Sequence, residues 1–246
     1  MISNPIHLQI LKSLKNYKSK SDQKEIDWVK KYLGSNKIYQ GLSTGEMINL
    51  AKKIIKENDL DEKETIDLLN SLYQNATTYT EIALAALILS HSKLLKNFNP
   101  KNLDLWLNYT CGWAENDVLC QSNFSSEILL SNWKEWQKTL KQFNQSSNIN
   151  KRRASLVLLT KSLRQSDDPR LSEITFENID NLKSEKEILI TKAVSWGLRA
   201  LVKFHQKEVL DYLEKNKNSL PKIAYREAFS KATTGRKYNK SDKLKI

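Results

Sequence analysis

The chain has 246 residues and carries 40 Lys and Arg against 28 Asp and Glu, a formal net charge of +12. A chain this basic seeks a polyanion, nucleic acid before an anionic membrane surface. Hydrophobic residues at 39% and charged residues at 28% exclude a wholly disordered chain, and no apolar run approaches the ~18–20 residues that span a bilayer.

Six glycines and four prolines are too few for a strand-turn-strand fold, and apolar residues recur at three- and four-residue spacing, as in amphipathic helices. The pattern predicts helices over 5–16 and 23–33, the second ending near Gly34. After the turn at 39–44, Ser43 or Thr44 caps a helix over 45–57 with Glu46 in its first turn. Asp61 opens a helix over 62–74, with Ile66, Leu69 and Tyr73 on one face. The stretch 77–92 is the most apolar and is expected to pack on both sides. Pro100 marks a break. Helices follow over 102–110, 112–121, 125–141, 149–164, 172–183, 185–204, 206–217 and 220–231, and the lysine-rich tail 233–246 is expected to fray. So many short-looped helices fit either a compact bundle or a stacked helical solenoid, with slight favour for the solenoid.

Phosphate-loop, dinucleotide-binding, nucleophile-elbow and HExxH patterns are absent, so an enzyme built on this chain is expected to need no cofactor. Two cysteines, Cys111 and Cys120, and three scattered histidines fall into no metal-ligand spacing, so no metal is expected. The thiols are expected to stay reduced, and the N-terminus has no signal layout, which points to the cytoplasm.

Three clusters call for explanation. Trp113 and Asp117 are four residues apart and share a helix face. An aromatic plane beside a carboxylate can hold a cation or sit next to a developing positive centre; a core indole with a solvated carboxylate is the plainer alternative. Lys151, Arg152 and Arg153 open a helix, where a guanidinium fork suits phosphate, or the run is a solvated charge cluster. In the cluster from Lys192 to Arg199, Trp196 and Arg199 share a helix face, and Trp196 also suits a packing role. Arg226, Lys231, Arg236 and Lys237 make a basic end able to track a phosphate backbone, or simply to stay soluble.

In order and spacing these segments resemble the bacterial HEAT-repeat DNA glycosylases that excise alkylated purines, the AlkD family of DNA alkylation repair proteins, over about residues 25–237. The likeness runs through YLGSNKIYQGLSTGEM (32–47), the apolar helix around Glu81, Trp113-x-x-x-Asp117, Arg152-Arg153-Ala154, the 192–199 helix, and Arg226-Glu227 with Thr234-Gly235-Arg236-Lys237. It implies an all-α HEAT-like solenoid over 1–237, a C-shaped stack of antiparallel helix pairs with a basic concave face, followed by a flexible basic tail over 238–246. It implies a monomer that acts on double-stranded DNA containing alkylated purines, with no membrane and no obligate protein partner. By the same resemblance Asp117 is the catalytic carboxylate, Trp113 and Trp196 flank the lesion, and Tyr32 is a cleft tyrosine. Arg153, less so Arg152, binds the backbone beside the lesion, and Lys192, Arg199, Arg236 and Lys237 are further DNA contacts. Family members hold the lesion without a tight base pocket. Three positions depart from the common pattern: Gly45 and Met47 replace Pro and Arg, and Gly112 stands where some members carry a second Trp.

Alkylation at purine N3 or N7 makes the base cationic, so it leaves neutral and needs little acid catalysis. Positive charge then grows on the deoxyribose, where a fixed carboxylate stabilises it and can orient water. A non-catalytic HEAT-repeat DNA-binding protein and a protein-interaction solenoid are the alternatives.

Overall fold

The computed structural model describes residues 2–17 and 21–238, and among them the fold is all-helical, with one isolated bridge between Ile38 and Thr78. The residues group into two compact units, one ending at Asn123 and the other beginning at Phe124.

The first unit holds α1 (Pro5–Lys15), α2 (Gln23–Leu33), α3 (Thr44–Asn58), α4 (Glu62–Asn75), α5 (Tyr79–His91), α6 (Asn102–Trp106) and α7 (Gly112–Asn123), with a 3₁₀ turn over Lys93–Asn97. Local chemistry sets the boundaries. Ser43, Asp61 and Thr78 each cap a helix in a reciprocal box with Glu46, Glu64 and Glu81, satisfying amides that a helix start leaves orphaned. At the other end of α2, Gly34 adopts φ 67°, the left-handed cap expected there. Helix α5 is buried from Tyr79 through Leu89 and packs against α3, α4 and α7. Glu81 lies at its start with no exposure, accepting from His7 Nε2 at 2.9 Å and from both the amide and hydroxyl of Thr78. Burial by itself would raise this carboxyl, but those hydrogen bonds prevail and hold it below its ordinary value. The buried face of α4 runs through Thr65, Leu68, Leu69, Leu72 and Tyr73, so Ile66 sits at its edge, half-buried. Tyr73 stacks on Trp106 at 5.3 Å.

The second unit holds α8 (Ser126–Ser131), α9 (Trp133–Asn144), α10 (Ile149–Val157), α11 (Leu159–Ser162), α12 (Pro169–Leu182), α13 (Ile188–Lys215) and α14 (Lys222–Thr234). The helix expected over 125–141 is interrupted at Asn132, at φ −132° and ψ 48°, and the one expected over 149–164 divides at Leu158. Helix α12 starts earlier than expected because Pro169 sits in its first turn and Asp168 caps it. The helices expected over 185–204 and 206–217 are one segment, α13, bent at His205, whose φ −122° and ψ 40° are non-helical. The α9–α10–α12 core carries a buried amide network. Asn144 Nδ2 donates to the Asn178 carbonyl at 3.1 Å, and Asn178 Nδ2 donates to the Ser155 carbonyl at 3.1 Å. The tail expected to fray from 233 begins inside the last turn of α14. Helix α14 continues to Thr234, and the Tyr238 hydroxyl donates to Glu227 Oε1 at 2.9 Å. The tail over 239–246 lies outside the described residues. No described helix is long and apolar enough to cross a membrane.

Candidate functional site

Helix α7 positions the central pair. Trp113 stands in its first turn and Asp117 one turn further on, both half-buried. The Trp113 indole Nε1 donates to the backbone carbonyl of Tyr32 at 2.7 Å, one of the carbonyls that the end of α2 leaves without a helical partner. The Tyr32 ring meets the Trp113 ring edge-on, centroids 5.2 Å apart at 79°. Tyr32 also lies parallel to Trp28, one turn earlier on α2, at 5.5 Å and 1°. Trp28 and Tyr32 are 64% and 58% exposed. Helix α2 buries no residue fully, so these rings are not core.

The contact between α2 and α7 is set by backbone. Gly34 and Gly112 both have positive φ, 67° and 71°, and a Cβ on Gly112 would collide with the Gly34 carbonyl. No side chain fits there without moving α2, which is why a second indole before Trp113 has no room in this chain. Below the aromatic rings, Glu115 is fully buried. It takes the Cys111 amide at 2.8 Å, pairs with Lys37 Nζ at 2.7 Å, and accepts the Ser35 hydroxyl. One carboxylate thus fixes the loop after α2 to the start of α7.

Asp117 acts electrostatically on Tyr79. The Tyr79 phenol is pushed up to about 12, first by burial, then by the charges of Glu115, Tyr39 and Asp117. A cleft of about 440 Å³ beside it is lined by Tyr79, Ala83 and Leu87 of α5, Met47 and Ile48 of α3, and Val118 of α7. Met47 is 5% exposed, so this position packs the wall and offers nothing to an outside anion. A Cβ at Gly45, by contrast, would meet open space.

The other expected site residues lie in the second unit. Arg153 is 3% exposed and its Nη1 donates to the Leu189 carbonyl on α13 at 2.6 Å. Arg152 grips Glu185 through Nε and Nη2 at 2.8 and 3.1 Å, and donates to the carbonyls of Ser146 and Ser147, so its guanidinium is engaged within the fold. Trp196 is half-buried on α13 and Lys192, one turn earlier, is exposed. Arg199 reaches the Ser195 hydroxyl at 3.2 Å and Glu227 at 3.6 Å; its burial lowers the guanidinium and Glu227 opposes this. Lys237 also pairs with Glu227, at 3.3 Å, while Arg236 is exposed.

The structure therefore joins Tyr32 to Trp113 and draws Arg199 and Lys237 onto one buried acid. Sequence reasoning missed Trp28, although its four-residue spacing from Tyr32 was visible, and it missed Glu115 and Glu227, whose environments are built from distant segments. Among the described residues no group of three or more His, Cys, Asp or Glu could hold a metal ion.

Residues 10–232 match the family model described as DNA alkylation repair enzyme. In fold the chain is similar to a predicted DNA alkylation repair enzyme from Enterococcus faecalis, with a TM-score of 0.71 at 17% identity over 88% of this chain and 98% of that one. That likeness shows a shared helical-repeat fold. No curated protein matches the sequence.

Proposed function

The chain belongs to the DNA alkylation repair enzyme family, and from that premise we propose that it is a DNA glycosylase that hydrolyses the N-glycosidic bond of cationic N3- or N7-alkylated purines in duplex DNA. The observation that carries this reading is the placement of Asp117 one helical turn from Trp113, whose indole is pinned by Tyr32.

The lesion supplies much of the driving force, because the charged base departs neutral. As the bond breaks, the sugar becomes oxocarbenium-like. A half-buried carboxylate held on a helix faces that charge without having to reorganise, and such preorganised electrostatics count for more where water is scarce. The Trp113 face adds cation–π attraction, about 0.5–2 kcal/mol per contact. Water attacks the sugar carbon, and Asp117 orients it or accepts its proton. Trp196 is proposed as a second lesion contact, with Lys192 and Arg236 on the phosphates; Arg153 joins them only by turning out from the Leu189 carbonyl. Arg199 and Lys237 would have to leave Glu227 to join them, and Arg152 would have to leave Glu185.

The test is base release from methylated duplex DNA, followed by mass spectrometry. The wild-type chain is expected to release N3-methyladenine or N7-methylguanine. Asp117→Asn is expected to lose release by a hundredfold or more, the scale of removing one preorganised electrostatic group, while still binding DNA. Full turnover by the Asn variant rejects the assigned role. DNA binding without any base release by the wild type turns the reading to a non-catalytic DNA-binding protein.

A further inference from the structure

Trp28 is assigned no part in the site, yet it is the most exposed large hydrophobic side chain described. It extends the Tyr32–Trp113 cluster outward, parallel to Tyr32 at 5.5 Å and 1°. An indole held flat by a neighbouring ring, with most of its surface in water, costs solvation and returns little packing to a helix that buries no residue fully. A flat planar partner would recover that cost, and every nucleobase has such a face.

We propose that Trp28 and Tyr32 form an open stacking platform for an unpaired nucleobase of DNA held beside Asp117. This rests on the glycosylase reading above for its DNA, and it adds the base-contacting residue Trp28. Three features favour a nucleobase. The platform is continuous with the site: Tyr32 touches Trp113 by ring and by backbone, and Trp113 stands one turn from Asp117. The rings are parallel, the arrangement that accepts a third plane in line; an aliphatic partner has no use for it. At 3.6 residues per turn, Lys24 and Lys31 fall together on the flank of Trp28 opposite Tyr32. Both are exposed, so two ammonium groups share the flank from which the phosphates of a stacked nucleotide can be reached; the exposed Asp27, bonded to Gln23, borders it. Glu25 is on the Tyr32 side and acts on Tyr39. An open platform also holds a base outside the helix without an enclosed pocket.

The test compares the full chain with Trp28→Ala and Trp28→Phe. Binding is read by fluorescence anisotropy on a paired duplex and on the same duplex with one unpaired purine, and folding is checked by thermal melting. Trp28→Ala is expected to weaken binding of the bulged duplex about tenfold, the loss of one base–aromatic stack, with less than a twofold change on the paired duplex. Trp28→Phe is expected to restore most of the difference. Equal loss on both duplexes, or no loss, overturns the platform. So does a change in sedimentation between wild type and Trp28→Ala, which would make the face a contact between copies of the chain. If Trp28→Ala loses the bulge preference while the wild type releases no base, the platform stands and the glycosylase reading falls. If base release depends on Asp117 but the bulge preference ignores Trp28, the reverse holds.

Discussion

The indole nitrogen of Trp113 and the backbone carbonyl of Tyr32 are 2.7 Å apart across 81 residues of chain. This hydrogen bond closes the end of α2 onto the start of α7 and fixes the plane of the ring beside Asp117. Trp113→Phe keeps the aromatic ring and removes the donor. It is expected to lower stability by about 1 kcal/mol and to loosen α2, read as faster amide exchange over 23–33 with the second unit unchanged. Unaltered exchange there would mean the bond does not hold the helix.

Gly112 meets the Gly34 carbonyl with no room for a Cβ and holds φ 71°. Gly112→Ala is therefore expected to cost at least about 2 kcal/mol through backbone strain and displacement of α2, measured by urea unfolding. Gly45→Ala, where the added Cβ meets open space, is the matched control and is expected to be neutral or slightly stabilising.

Glu115 is fully buried and Lys37, its partner at 2.7 Å, is nearly so. Glu115→Gln leaves the ammonium without its counter-charge in a water-poor place. Breaking one side of such a pair costs on the order of 3–5 kcal/mol, so a pronounced fall in melting temperature is expected. Lys37→Met with Glu115→Gln is expected to regain part of it.

Glu227 is buried and accepts the Ser195 hydroxyl at 2.6 Å and the Tyr238 hydroxyl at 2.9 Å. Burial alone would raise this carboxyl, but those hydrogen bonds with Lys237 and Arg199 hold it below its ordinary value. Glu81 is lowered in the same way. A carboxyl that is more acidic folded than unfolded contributes stability above its unfolded pKa, and that contribution is lost as pH falls through the lower folded one. Stability is therefore expected to decline below about pH 4. Glu227→Gln is expected to make the acid limb of a stability–pH curve shallower; an unchanged limb would locate the acid sensitivity elsewhere.

Helix starts were legible at Ser43, with Glu46 in the first turn, and at Asp61, whereas the Thr78–Glu81 box was not read. The expected boundary between 204 and 206 falls at the bend at His205, although the chain passes through it as one helix. The breaks at Asn132 and Leu158 were hidden because apolar periodicity runs on across them. In the site, Trp113 and Asp117 could be paired from spacing alone. The clasp of Glu115 could not, since its partners Ser35 and Lys37 lie about 80 residues earlier. The sequence ranks Arg153 ahead of Arg152 as a phosphate ligand, and only the fold shows that both are engaged, Arg152 by Glu185 and Arg153 by the Leu189 carbonyl.

Glu115 anchors the α2–α7 junction through Ser35, Lys37 and the Cys111 amide, and is itself fully buried while Trp28 and Tyr32 are exposed. Anchorage and display are thereby assigned to different residues. Replacing the exposed rings of Trp28 and Tyr32 therefore carries a small folding penalty, so a change there alters what the surface grips while the junction beneath it keeps its shape.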